Sequence, residues 1–292
     1  GTPLSHVRAI AAGEDHTCAL LNNGTVSCWG HNFAGQLGNG TTSDFPLAGL
    51  AVNLGGVATA IAAGRWHTCA LLNNGTVKCW GYNGYGQLGN GSWSRSHPPV
   101  TVNGLSGVIA ISAGGQHTCA LLSNRIVKCW GSNYYGQLGD GTTRHSFMPI
   151  TVSGVSNVTA IAAGGFHTCA LLSDGTARCW GLNTSGQLGN GTTTSSPTPV
   201  VVSGLNGVRA ITAGVFHTCA LLNDETVKCW GQNADGRLGD GTNTNRATPT
   251  TVNGLGGVSA IAAGYEYTCA LLSNGSGRCW GDNDYGQLGD GT

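Results

Sequence analysis

The chain has 292 residues, only 9% of them charged, and its 13 Lys plus Arg balance 13 Asp plus Glu. An average soluble domain carries about 25% charged residues, so solubility here rests on neutral Ser, Thr, Asn and Gly. The balance leaves no basic field to attract a phosphate backbone, and no run approaches the ~18 apolar residues of a membrane span, so neither nucleic-acid binding nor membrane insertion is expected.

In chain order, a short lead, Thr2 to His6, precedes an apolar run at Val7, a His-Thr-Cys-Ala-Leu-Leu run at His16 and a Cys-Trp run at Cys28. These runs return every 50 or 51 residues, six times in all. Such a period marks a repeat architecture. The fourth copy is the clearest. Its runs are Val158 to Ala163, His167 to Leu172 and Thr176 to Trp180, with Pro199 to Val202 in the linker that follows. All are short, rich in β-branched or aromatic residues and bounded by Gly, Asn, Ser and Pro, so they read as strands. None carries a helical apolar stripe. Four strands per unit of this length predict an all-β propeller with six four-stranded blades. The repeats are expected at approximately 1–40, 41–91, 92–141, 142–191, 192–241 and 242–292, as a single propeller domain. The first blade is expected to be incomplete, because no Pro-x-Val run precedes Val7, and to expose an open sheet edge.

Each copy holds two cysteines ten residues apart. The pairs are Cys18 with Cys28, Cys69 with Cys79, Cys119 with Cys129, Cys169 with Cys179, Cys219 with Cys229, and Cys269 with Cys279. Ser173-Asp174-Gly175 forms a three-residue hairpin loop with Gly175 in the left-handed region. Pairing about Asp174 sets Ala170 opposite Arg178 and Cys169 opposite Cys179, close enough to bridge. One cross-strand disulfide per blade is therefore expected. Zinc would need four converging ligands, which this spacing does not supply. Copies three and five replace the loop glycine by Arg125 and Glu225, so those tips are expected to be strained or built differently. Six bridges place the protein outside the cytosol, secreted or at the cell surface. Gly1-Thr2-Pro3 opens directly on repeat material, and a secretory leader would have been removed from a mature chain. Asn23, Asn39, Asn74, Asn90, Asn157, Asn183, Asn190 and Asn274 stand in Asn-x-Ser/Thr sequons and are candidate glycosylation sites.

Every copy reads Ala-Gly-x-x-His/Tyr-Thr-Cys-Ala-Leu-Leu, then Cys-Trp-Gly-x-Asn-x-x-Gly-Gln/Arg-Leu-Gly-Asn/Asp-Gly, as at Gly164 to Leu172 and Cys179 to Thr192. This resembles the repeat of the propellers named for the regulator of chromosome condensation, RCC1, over essentially the whole chain. The resemblance implies blades about a central axis, usually seven, and the paired cysteines resemble bacterial extracellular members. Nuclear members of that family exchange nucleotide on a small GTPase through an inserted wedge, for which the uniform spacing here leaves no room. A plant photoreceptor of the family clusters tryptophans at Gly-Trp-Arg-His-Thr. This chain has Gly64-Arg65-Trp66-His67-Thr68 once, with two residues exchanged, and the Trp of each Cys-Trp run reads as core.

His16, His67, His117, His167 and His217 recur at one position, with Tyr267 in the sixth copy, and read as core groups bonded to backbone rather than as a metal site. Asp140, Asp240 and Asp290 read as turn caps, and Gly186 to Gly191 lacks the helix that a phosphate cradle requires. No catalytic constellation, metal or cofactor is expected. Variation concentrates after Ala-Gly, from Glu14-Asp15 and Arg65-Trp66 to Tyr265-Glu266, and after Trp-Gly, at Phe33, Tyr82 and Tyr134. Loop aromatics are the usual anchors of recognition surfaces. Candidate binding residues are Trp66, Tyr85, Trp93, Tyr135, Phe166, Phe216, Tyr265 and Tyr285. They support a non-enzymatic protein-binding or structural module, self-associating through a face or open edge as a subunit of an extracellular assembly or fibre. The alternative is a lectin that stacks glycans on Trp66, Trp93 and the tyrosines. Guanine-nucleotide exchange ranks third.

Overall fold

The structure is a computed structural model, and it describes residues 4–48 and 51–292. Thr2 and Pro3, part of the lead before Val7, lie outside the described residues. The fold is an all-β propeller of six blade sheets, each an antiparallel meander. The chain divides into two compact units, residues 1–134 with 143–152, and residues 135–142 with 153–292.

The first unit holds three sheets. They are β1 (Val7–Ala12), β2 (His16–Leu21) and β3 (Val26–Gly30), then β4 (Ala58–Ala63), β5 (His67–Leu72), β6 (Val77–Gly81) and β7 (Ser96–Thr101). The third has β8 (Val108–Ala113), β9 (His117–Leu122), β10 (Val127–Gly131) and β11 (Ser146–Thr151). The second unit begins its sheets with β12 (Val158–Ala163), β13 (His167–Leu172), β14 (Ala177–Gly181) and β15 (Ser196–Val201). Next come β16 (Val208–Ala213), β17 (His217–Leu222), β18 (Val227–Gly231) and β19 (Arg246–Thr251), and last β20 (Val258–Ala263), β21 (Tyr267–Leu272) and β22 (Gly277–Gly281).

Each Pro-containing strand joins the sheet of the Cys-Trp strand before it, since β7, β11, β15 and β19 pair with β6, β10, β14 and β18. The first sheet is three-stranded, as expected, but its shortfall lies on the β3 flank rather than ahead of Val7. There Ala51 and Phe45 make only isolated bridges to Ser27 and Gly30. The stretch Asp44 to Ala51 contains no β-branched residue, which explains the weak strand. The last sheet is also three-stranded, so among the described residues the unpaired outer flank belongs to β22. The first sheet is short of a strand as expected, and the last sheet shares that shortfall.

The hairpin register follows the turn arithmetic. Cys169 faces Cys179, Ala170 faces Arg178, and the Leu172 N–H donates to the Thr176 carbonyl at 2.9 Å. All six expected disulfides are formed, each within one hairpin and with Cα atoms 4.1 Å apart. In the first unit Cys18 is bonded to Cys28, Cys69 to Cys79, and Cys119 to Cys129, each with that 4.1 Å Cα separation. In the second Cys169 is bonded to Cys179, Cys219 to Cys229, and Cys269 to Cys279, again at 4.1 Å. Among the described residues no cysteine is left as a free thiol. Arg125 and Glu225 keep the glycine conformation, with φ of 66° and 65°, so the loop is built alike and those two residues carry its left-handed strain.

The core lies between successive sheets within each unit. In the first unit Cys18, Leu20, Val26 and Cys28 pack against Ala58, Ala70, Leu72 and Trp80. Cys69, Leu71, Val77 and Cys79 meet Val108, Ala120, Leu122 and Trp130 in the same way. The second unit repeats the arrangement, with Cys169, Leu171, Ala177 and Cys179 against Val208, Ala220, Leu222 and Trp230. The Ala-Gly glycine is needed for this approach, because a Cβ on Gly64 would lie 2.2 Å from the His67 ring and 2.4 Å from the Gly114 carbonyl.

Candidate functional site

Three consecutive antiparallel strands place the turn between the first two and the exit of the third at one end of the sheet. The two variable stretches of each repeat therefore meet. Backbone bonds join them: the Tyr82 N–H donates to the Trp66 carbonyl at 2.8 Å, and the Leu182 N–H to the Phe166 carbonyl at 2.9 Å.

In the first unit this end carries a continuous aromatic ladder. Successive ring centroids are 5.3 Å apart from His31 to Phe33, 5.3 Å to Trp66, 5.6 Å to Tyr82, 6.3 Å to Tyr85 and 5.7 Å to Tyr134. His145 closes the series 4.3 Å from Tyr134 and 5.3 Å from Tyr85. From Phe33 onward the rings meet edge to face, the geometry their quadrupoles favour. The Arg65 guanidinium lies 4.2 Å over Trp66 and pairs with Glu14, which fixes the cation against the ring. His145 accepts the Asn133 N–H at its Nδ1, 2.9 Å away, so its neutral form carries the proton on Nε2. Burial lowers the His145 pKa. Burial raises that of Tyr85, helped by Tyr134 and Tyr82, and its phenol is neutral at physiological pH. Phe33 and Tyr134 are exposed, and Trp66, Tyr82 and Tyr85 are half-buried.

The structure thus brings Trp66 and Tyr85 together and joins Tyr135, Phe166 and Phe216 in a shorter series in the second unit. There Tyr135 stands 5.7 Å from Phe166, which stacks 5.6 Å from Phe216. Trp93 is separate. It is 51% exposed and packs against Phe147 at 4.9 Å. Tyr265 is exposed, and Tyr285 is 94% exposed. His31 and His145 are not among the candidates that the sequence singles out. Their positions beside the variable aromatics are visible there, but their ring contacts depend on how the loops fold.

The repeated polar residues are structural. His16 Nε2 contacts Thr68 Oγ1 of the next sheet at 2.8 Å, as His67 does Thr118, His167 does Thr218 and His217 does Thr268. The expected partner is backbone; the observed one is a side chain, because the ring crosses to the following sheet. The threonine hydroxyl gives its single proton to a carbonyl, as Thr68 does to Gln36 at 2.9 Å. The imidazole must then donate from Nε2, and the buried Nδ1 of His16, His67, His167 and His217 accepts nothing. Among the described residues no three His, Cys, Asp or Glu side chains gather as a metal site.

Asn183 is fully buried, and its amide donates to Asn190 Oδ1 and to the Thr192 and Thr194 carbonyls. Of the candidate glycosylation residues it is thus one whose side-chain amide is committed within its own loop. At Asn23, Asn39, Asn74, Asn90, Asn190 and Asn274 the side chain caps the backbone N–H two residues on. Asp140, Asp240 and Asp290 make the same cap, so the recurring Asx-x-Thr pattern has a local structural cause. Arg237, where other copies have Gln, is buried and holds Asp235 at 2.9 Å and Glu266 at 3.3 Å.

The family described as RCC1-like domain matches residues 2–292. The human probable E3 ubiquitin-protein ligase HERC4 is 41% identical over 97 residues, covering 32% of this chain and 9% of that protein, so the chain spans only a small part of that relative. Human WBSCR16 superimposes with a TM-score of 0.88 at 26% identity, over 99% of this chain and 80% of that one. Yeast RCC1 (Prp20), solved with Kap60 bound, gives 0.85 at 24% identity, over 95% and 70%.

Proposed function

This chain belongs to the RCC1-like domain family, and on that footing we propose that it works without catalysis, as a protein-binding module outside the cytosol. The aromatic ladder of the first unit carries the reading. Its rings are interlocked, so little side-chain freedom remains to be lost on binding, and Phe33, Tyr134 and the Arg65–Trp66 pair offer the aromatic and cationic anchors that protein interfaces favour. Six disulfides support a secreted or cell-surface location, where the module would serve as a receptor-type surface or a subunit of an assembly. Yeast RCC1 was solved with a protein partner, Kap60, in keeping with protein recognition by this fold. The ligase activity named for HERC4 stays with that protein, of which this chain matches 9%.

A lectin is the second reading, and Trp93 is the residue that favours it. Sugar stacking needs a free ring face, which the exposed Trp93 offers more readily than the edge-to-face ladder does. A secreted-protein array and a glycan array, each probed with wild type, Trp66→Ala/Tyr85→Ala and Trp93→Ala, separate the two. Protein hits lost with the double variant support the ladder. Glycan hits lost with Trp93→Ala support the lectin. Accelerated nucleotide release from a small GTPase would overturn both.

A further inference from the structure

The antiparallel order that gathers the ladder sends the β2–β3, β5–β6 and β9–β10 hairpin tips of the first unit to the opposite end of its sheets, with the entries to β4 and β8. Tips and entries abut there. The Ala58 N–H donates to the Gly24 carbonyl at 3.0 Å, the Asn73 N–H to the Val57 carbonyl at 2.9 Å, and the Ser123 N–H to the Gly107 carbonyl at 2.8 Å. A Cβ on Gly75 would lie 3.7 Å from the Gly107 nitrogen. One strip of loops therefore runs from the first hairpin tip to the third.

Side chains on this strip depart from the repeat. Ile109 is 47% exposed, where the other copies have Arg8, Thr59, Thr159, Arg209 and Ser259. Ile126 is 37% exposed, where the others have Thr or Ser. Val57 is 48% exposed, where the four later sheets have Gly or Asn. Arg125 is exposed and holds φ of 66° at a position that four copies give to glycine. Exposed isoleucines add nothing to the core, and the left-handed backbone disfavours Arg125, so none of the three serves the fold.

Charge on the strip is one-sided. Lys78 and Lys128 are the second residues of β6 and β10 and so stand at the same end, with Lys78 Nζ 3.7 Å from where a Cβ on Gly55 would lie. Among the described residues Lys78, Arg125 and Lys128 make no ion pair. The acids of the first unit are Glu14, Asp15 and Asp44, and all three sit at the ladder end. Glu14 pairs with Arg65, the Asp15 carbonyl accepts the His31 N–H at 2.8 Å, and Asp44 Oδ1 accepts the Asn32 N–H at 2.7 Å. In the second unit the corresponding tips carry Asp174, Asp224 and Glu225 instead.

We propose that this strip is a second docking surface, and that its occupant is an acidic protein segment carrying apolar residues among its Asp and Glu. The three cations, with no acid beside them, attract and orient such a segment. Val57, Ile109 and Ile126 give it apolar contact, which a polyanionic glycan would leave unused. The proposal rests on the hairpin end alone and stands apart from the ladder.

The test is selection from a displayed random-peptide library with wild type and with Ile109→Thr/Arg125→Gly/Ile126→Thr. The three new residues are those of the second copy, so the variant keeps the fold, which circular dichroism verifies. Wild type should enrich peptides in which Asp or Glu stand beside apolar residues, and the triple variant should bind them at least about tenfold more weakly in calorimetric titration. Added salt should weaken the wild-type complex as well. Enriched peptides without acids, no enrichment at all, or equal binding by the triple variant would overturn the proposal. So would binding lost with Trp66→Ala/Tyr85→Ala instead, which assigns the peptides to the ladder. Heparin binding that needs Lys78 and Lys128 but not the isoleucines would make the strip a glycan site and overturn it too.

Discussion

Lowering the pH from 7 to 5 should destabilise this protein through its repeated histidines. His16, His67, His167 and His217 are buried, and burial lowers their pKa values from 6.5 to about 4, 3, 4 and 3. In the unfolded chain each imidazole titrates near 6.5. Below that pH the unfolded state binds a proton that the folded state refuses, so stability is lost as pH falls from 6.5 towards 4. Between pH 7 and 5 the loss is slightly under ~2 kcal/mol for each histidine, or about 7 kcal/mol for four, a large part of a usual folding free energy. The cause is visible in the bonding. Nε2–H is committed to a threonine and Nδ1 faces no acceptor, so an added proton would sit on a buried, unpartnered nitrogen. Asp174, Asp224, Asp240 and Asp290 have lowered pKa values and shed their contribution only at more acid pH. The assay is the guanidinium midpoint at pH 7, 6 and 5 by tryptophan fluorescence, with NMR titration of the imidazole ring protons. A midpoint flat between pH 7 and 5, or these four rings titrating near 6.5 in the folded protein, would refute the argument.

Three further outcomes follow from the packing and the loops. Replacing Cys169 and Cys179 together by Ser should lower stability by about 2.5–3 kcal/mol in equilibrium unfolding, as the ten-residue loop is released in the unfolded state; an unchanged midpoint would contradict it. Arg125→Gly should raise stability by about 0.5–1 kcal/mol, because φ of 66° strains a side chain that glycine lacks, and the thermal midpoint should rise accordingly. Arg237→Leu and Arg237→Gln both remove the cation that Glu266 holds, so if the ion pair matters both should lower stability, by about 1–2 kcal/mol for a pair whose acid is partly exposed; an Arg237→Gln variant as stable as wild type in chemical unfolding would rule out the ion pair as a source of stability.

The proposed binding face was legible in part. Variation after Ala-Gly and after Trp-Gly pointed to the loops that carry the ladder, and Trp66 and Tyr85 share it. Trp93 and Tyr285 carry the same sequence signal yet stand apart from it, because loop aromatics reveal their contacts only once neighbouring sheets are packed. Asn183 shows the converse, since a residue that the sequence offers only as a sequon is the buried clamp of its loop.

Local chemistry by itself determined the repeat, the strands, the hairpin register and the six bridges, from Cys18 with Cys28 to Cys269 with Cys279. Turn residues and apolar alternation act within about ten residues, and all six copies repeat the same instruction. Which sheet takes each Pro-containing strand, and that each histidine reaches the following sheet's threonine, were decided only by tertiary structure. Those choices depend on groups about 50 residues apart meeting across an interface, and identical repeats leave no local mark of which neighbour will be chosen.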